Sequence, residues 1–295
     1  MSDSPSATPR RIMLATDLSA RSDRPLDRAL RLARHWDAEL IITHIVEPEP
    51  ELMWDEVDPF AWQRWPARNE ALKQRILDDL GDISAKVRVV IDEGSAAERI
   101  CSIAEQVEAD MIVTGVARAP TFGRTLLGAT VQRLVRTADI PVLIVKRRAE
   151  AEYQDLLVTF DFSDASAHAV SRAAALFPQS SLTLLHGYDP PFRLALRREG
   201  FADYLREAER QEVETFVSVA APDPETRERI NVLVEHGDPV RLAQAYIADR
   251  SPDLTVVASH GRSAIYELAI GSVATKMLNR LDSDILLVRR PTKMD

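Results

Sequence analysis

The two halves of this chain carry the same residues in the same order, and this repeat limits the possible folds more than any single motif does. Gly94-Ser95 recurs as Gly237-Asp238, residues 110–114 (DMIVT) as 253–257 (DLTVV), Gly128 as Gly271, and 141–145 (PVLIV) as 284–288 (DILLV), all at one offset of 143 residues. Asp17 and Asp161, each just past the first strand of its half, depart from that offset by a single position. A constant offset over half the length marks an internal duplication, with its boundary within residues 147–154.

In the first half, residues 11–16 (RIMLAT), 39–46 (ELIITHIV), 86–91, 111–114 and 142–145 are short, apolar, β-branched runs that predict strands. Residues 23–35 place Leu26, Leu30 and Ala33 at helical spacing, and 96–107 and 127–137 are also helical. The second half repeats the strands at 156–159, 182–186, 253–257 and 284–288. Strand and helix alternate, which predicts a parallel sheet with helices on both faces. The 295 residues divide into a disordered leader at 1–10, a first domain at 11–148, a linker at 149–154 and a second domain at 155–295. The expected fold class is α/β: two tandem doubly wound domains of five parallel strands, Rossmann-like, each of about 140 residues. Such sheets bind ligands beyond the carboxyl ends of their strands.

Composition narrows the function. The chain is 45% apolar and 28% charged, as soluble globular proteins are, and its net charge of −9 argues against nucleic acid or an anionic membrane as partner. Any anion site must therefore be local. Cys101 is the only cysteine, which excludes an intramolecular disulfide and a cysteine metal cluster. No apolar run approaches the ~18 residues of a membrane span, and the opening MSDSPSATPRR is not a secretory signal. The cytoplasm is the expected compartment.

Residues 256–273 (VVASHGRSAIYELAIGSV) run from a strand end through a polar loop to Gly271-Ser272 at the head of an amphipathic helix. That layout suits a phosphate: a permissive glycine lets the backbone approach, and a helix start adds unpaired amides, a hydroxyl and the positive end of the dipole. An ordinary strand-to-helix connection has the same outline.

With both halves in view, the pattern over about residues 11–290 resembles the universal stress protein family, and in particular its tandem-domain members. The ATP-binding version of that family carries G-x2-G-x9-G-[ST] after its fourth strand. The second half has Ala258 at the first glycine, Gly261 at the second, then nine residues, then Gly271-Ser272. The first half has Gly115 at the first glycine, Arg118 in place of the second, Gly128, and Ala129 in place of Ser/Thr, with Thr130 beside it. Strand-one aspartates stand in both halves, in ATDLS and VTFDFS. The resemblance implies ATP, arriving with Mg²⁺, bound mainly by the second domain through Asp161, Ala258, His260, Gly261, Arg262, Gly271, Ser272 and Val273. It implies a weaker or empty first site at Asp17, Gly115, Arg118, Gly128, Ala129 and Thr130.

Each candidate also has an ordinary structural role. Asp17 and Asp161 can be helix N-caps, and Gly261 and Gly271-Ser272 simple turn and cap residues. Ala258 adds a methyl group that would crowd close backbone approach. Arg118 either closes its loop or pairs with a different anion. His260 is either a phosphate contact or a solvated loop residue. His44 and His186 end equivalent strands and suit a structural or pocket-edge role. Residues 47–66 hold three of the four tryptophans and form either an aromatic lid or partner-docking loop beside the first cleft, or a long loop packed on its own domain, with or without a short helix.

The expected function is stress-response regulation through an adenine nucleotide. Slow ATP hydrolysis and a nucleotide-free interaction protein are the alternatives, since neither a Walker motif, an assignable Ser-His-Asp set nor a GxSxG elbow is present. The family further implies association through the fifth strands. Apolar edges at 142–145 and 285–288 favour pairing within one chain as a pseudo-dimer, with a homodimer of chains also possible.

Overall fold

The computed structural model describes residues 8–19, 22–47, 61–80, 85–116, 127–188, 201–259 and 270–290, the helical segments 61–66 and 201–209 by backbone alone. The first half runs β1 (Arg11–Thr16), α1 (Asp23–Trp36), β2 (Glu39–Val46), α2 (Ala61–Leu80), β3 (Val87–Glu93), α3 (Ala96–Gln106), β4 (Met111–Thr114), α4 (Ala129–Thr137) and β5 (Val142–Ile144). The second runs β6 (Asp155–Thr159), α5 (Asp164–Leu176), β7 (Ser181–Tyr188), α6 (Phe201–Ala220), α7 (Pro224–Glu228), β8 (Ile230–His236), α8 (Pro239–Arg250), β9 (Leu254–Ala258), α9 (Ser272–Arg280) and β10 (Asp284–Val288).

Both sets of strands join one sheet in the order β3-β2-β1-β4-β5-β10-β9-β6-β7-β8. Within each half all pairings are parallel, as the strand–helix alternation requires. The halves meet at the single antiparallel pair, Leu286 opposite Leu143. Two short apolar edges thus cover each other, and β5 and β10 are both fully buried.

Strand alternation splits the core in two. Ile12, Leu14, Leu40 and Ile42 pack with α1 on one face, in a cluster continuous with Val158, Phe160 and Phe216 of the second half. Met13, Ala15 and Ile41 pack with α3 and α4 on the other face, in a cluster that also holds Val257, Ala274 and Met277. Residues 61–66, assigned to a loop from sequence, instead open the twenty-residue α2. Helices α2 and α6 have twenty residues each and occupy the same place in their halves. Residues 48–60, the rest of the tryptophan-rich stretch after Glu47, lie outside the described residues.

A polar joint ties the halves together. Asp284 is fully buried and accepts from the Lys146 and Arg147 amides at 2.7 and 2.9 Å and from the Tyr153 hydroxyl at 2.7 Å. Arg28 approaches the same carboxylate at 3.7 Å and lies over the Tyr153 ring, 4.0 Å from its centroid. Burial, reinforced by the Asp284 charge, pushes the Tyr153 hydroxyl well above its ordinary pKa, so it stays a donor. The two halves also cap each other's helices. The Lys146 ammonium donates to the Leu278 and Leu281 carbonyls at the end of α9, both at 2.7 Å. Arg289, 143 residues on, donates to the Arg136 carbonyl in the last turn of α4.

Candidate functional site

In both halves the first and fourth strands are neighbours, so the loop after one lies beside the loop after the other. The first-half cleft, about 390 Å³, is lined by Thr16, Asp17, Glu47, Gly115, Gly128 and Thr130 among others. The second-half cleft, about 260 Å³, is lined by Asp161, Ala258, Gly271, Ser272 and Val273, with Leu185, Val257 and Met277 as apolar walls. Of the predicted residues, Asp161, Ala258, Gly271, Ser272 and Val273 therefore share one cavity. Asp17, Gly115, Gly128 and Thr130 share the other, and Ala129 begins α4 at its edge. His260, Gly261, Arg262 and Arg118 lie outside the described residues.

The aspartates do not cap helices. Asp161 Oδ1 accepts from the Ser163 amide at 3.1 Å and the Ser163 hydroxyl at 2.5 Å, and Ser163 itself is the N-cap of α5, accepting from the Ser166 amide. Asp17 Oδ1 accepts from the Ser19 amide and from the Ser19 and Ser22 hydroxyls, at 3.0, 2.7 and 2.7 Å. Burial opposes ionisation of Asp17, but these serine donors outweigh it and hold its carboxyl below the ordinary value. Each aspartate is followed by a residue in the left-handed region, Leu18 at φ 56° and Phe162 at φ 61°. Such matching strain fixes the direction of each carboxylate. His44 and His186 hold the same turns from below: Nδ1 lies 3.0 Å from the Thr16 carbonyl and 2.9 Å from the Phe160 carbonyl. A carbonyl only accepts, so Nδ1 carries the proton in both rings.

At the other end of each cleft a nine-residue helix begins after glycine, Gly128 for α4 and Gly271 for α9. Neither N-cap supplies a side-chain bond, and both glycines have negative φ, −62° and −57°. Glycine is thus used here for its lack of a side chain and not for a special backbone angle. The Gly271 amide is engaged, donating to the Ser259 carbonyl at 2.8 Å. The amides of Ser272, Val273 and Ala274 have no acceptor within the helix and, with the dipole, favour an anion. Ala258 lines the cleft and also packs against the apolar cluster of Val256 and Val288, so its methyl group contacts the core on the α5 side.

Sequence reading missed two residues that set the clefts apart. Gly187 lines the second cleft, where a Cβ would come within 2.9 Å of both Leu242 Cδ1 and Pro239 Cα. Ile45 holds the equivalent position in the first, one residue past the matching histidine. Glu47 also lines the first cleft, with Oε1 accepting from the Ala96 amide at 3.1 Å, so a carboxylate already sits at the start of α3. In the second half Asp238 caps the equivalent helix α8 through the Arg241 amide at 2.9 Å. Only the contact across the fold reveals Glu47's role.

Among the described residues no cluster of His, Cys, Asp and Glu suits a metal ion, and no helix is long and apolar enough to cross a membrane. A family model described as the universal stress protein family matches twice, over residues 8–146 and 152–289. A universal stress protein of Mycolicibacterium smegmatis is 28% identical, over 96% of this chain and 98% of that one. Universal stress protein MJ0531 of Methanocaldococcus jannaschii is 29% identical, over 47% of this chain and 82% of that one. The crystal structure of a universal stress protein from Archaeoglobus fulgidus aligns with a TM-score of 0.67 at 18% identity, over 95% of this chain and 96% of that one, a likeness of fold.

Proposed function

The chain belongs to the universal stress protein family, and from that premise we propose that it is a stress-response protein that binds an adenine nucleotide, ATP with its Mg²⁺, mainly in the second-half cleft. The observation that carries this reading is one cavity holding Asp161 at one end and the uncapped start of α9 at Gly271-Ser272 at the other, with apolar walls between. Those walls, Leu185, Val257 and Met277, suit the faces of a purine. The Asp161 carboxylate is placed to accept from the nucleoside end. The amides of Ser272 and Val273 and the Ser272 hydroxyl are placed to donate to phosphate oxygens.

Size alone would favour the first cleft, about 390 Å³ against 260 Å³. Charge decides otherwise. Among the described residues the first cleft is lined by two carboxylates, Asp17 and Glu47, and the second by one, Asp161. At an effective dielectric of about 20, one extra like charge ~5 Å from a phosphate costs about 3 kcal/mol. Ala129 also withholds the hydroxyl that Ser272 supplies.

Binding, and not hydrolysis, is the proposed activity, because hydrolysis needs a residue that orients water and none is assigned here. Calorimetric titration of the purified protein with ATP-Mg tests the proposal. One site is expected, lost in Asp161→Ala and weakened about tenfold in Ser272→Ala. No heat and no thermal shift at millimolar nucleotide would refute it.

A further inference from the structure

The two halves also differ on the sheet face that packs against α1 and α2 in one and α5 and α6 in the other. In the second half, Phe160, Phe162 and Phe216 fill the space between the sheet, α5 and α6. Phe160 stacks on Phe216 at 4.7 Å between centroids, and Phe162 meets the two edge-on at 5.0 and 5.7 Å. In the first half the same positions hold Thr16, Leu18 and Ile76. Thr16 and Leu18 flank Asp17 as the two phenylalanines flank Asp161, and Ile76 is the sixteenth residue of α2 as Phe216 is of α6.

Replacing three rings by smaller side chains leaves a cavity of about 390 Å³ among the described residues, walled by Leu14, Ile42, Leu72 and Ile76 and rimmed by Asp23, Arg75 and Asp79. Its volume is within the range of small-molecule sites. An apolar wall without contact atoms forfeits dispersion energy that the second half retains. The rim carries two carboxylates against one guanidinium, all three exposed, on a chain of net charge −9.

We propose that this first-half cavity, which adjoins the first nucleotide cleft at Thr16 and Ser22 but opens on the α1–α2 side of the sheet, is a second ligand site that takes a small amphiphile with an apolar body and a basic end. The body replaces the missing rings against Leu14, Ile42 and Ile76, and the basic end lies at the Asp23–Asp79 rim. Met13, Ala15 and Ile41, which face α3 and α4, take no part.

The neutral fluorophore N-phenyl-1-naphthylamine serves as probe on the full chain. Saturable fluorescence at one site is expected, displaced by decyltrimethylammonium and not by decanoate. The variant Ile76→Phe, which copies Phe216 of the second half, should bind the probe at least about tenfold more weakly while ATP titration is unchanged. Leu72→Phe, filling from α2, should do the same, with folding of each variant checked by circular dichroism. Methyl NMR of the wild-type chain should show probe-induced shifts at Leu72 and Ile76. No saturable binding, retention of binding in either folded variant, or shifts confined to other methyls would overturn the site. Equal displacement by decanoate would overturn the basic end.

Discussion

Removing the Asp284 carboxylate is the sharpest test of how the halves are joined. In Asp284→Ala the amides of Lys146 and Arg147 and the Tyr153 hydroxyl lose an acceptor held at 2.7 to 2.9 Å. Arg28, only 5% exposed, loses its counter-charge, and its Nε already makes no hydrogen bond. Stranding a buried charge in this way costs about 3–5 kcal/mol, a large part of a typical total of roughly 5–15 kcal/mol. For a chain of this length each kcal/mol moves the melting midpoint by about 2–4 °C, so a fall of roughly 6–20 °C is expected in calorimetry. Asp284→Asn keeps one oxygen for the two amides and isolates the charge, and should fall between wild type and Asp284→Ala. Asp139→Ala is the control. Its carboxylate lies 3.8 Å from Arg289 but is 79% exposed, and removing it should change stability by less than about 1 kcal/mol. If urea unfolding shows Asp284→Ala losing under about 1 kcal/mol, the joint does not depend on this cluster.

Three further outcomes follow from named contacts. Burial pulls the Lys146 ammonium down to about 8, against the pull of Asp282 and Asp284, whereas the unfolded chain has the ordinary 10.5. The unfolded state then binds more protons between these values, so wild type should gain about 3 kcal/mol over Lys146→Met as pH rises from 8 to 10.5, read by urea unfolding with the variant cancelling other titrations. Gly187→Ala puts a methyl 2.9 Å from Leu242 Cδ1 and Pro239 Cα, and should cost about 1–3 kcal/mol in thermal unfolding and weaken nucleotide binding. In an Asp161→Ala background, Glu47→Gln should raise the affinity of the first cleft for ATP-Mg severalfold by calorimetry; unchanged affinity would show that its carboxylate does not exclude phosphate.

The sequence by itself determined the duplication, the alternation of strand and helix and the family, because these rest on local periodicity and on punctuation repeated at a fixed offset, but it did not reveal α2, α6 or β8. It also brought Asp161 and Gly271-Ser272 to one place, since any parallel sheet with strands one and four adjacent puts them there. It was least informative wherever a residue's meaning depends on a distant partner. Asp17 and Asp161 could equally have been helix caps until the serine bonds excluded it. Ala258 both lines the cleft and packs against the core, and the second contact carries no local signal. Glu47, Gly187 and the phenylalanine cluster carry no local signal, because each acts on residues brought near only by folding: Ala96, Pro239 and α6. Tertiary structure alone decided how the cores of the halves differ. A repeated pattern of strands leaves free the side chains that fill the space between layers, and there one half closes with three rings while the other keeps a cavity among the described residues.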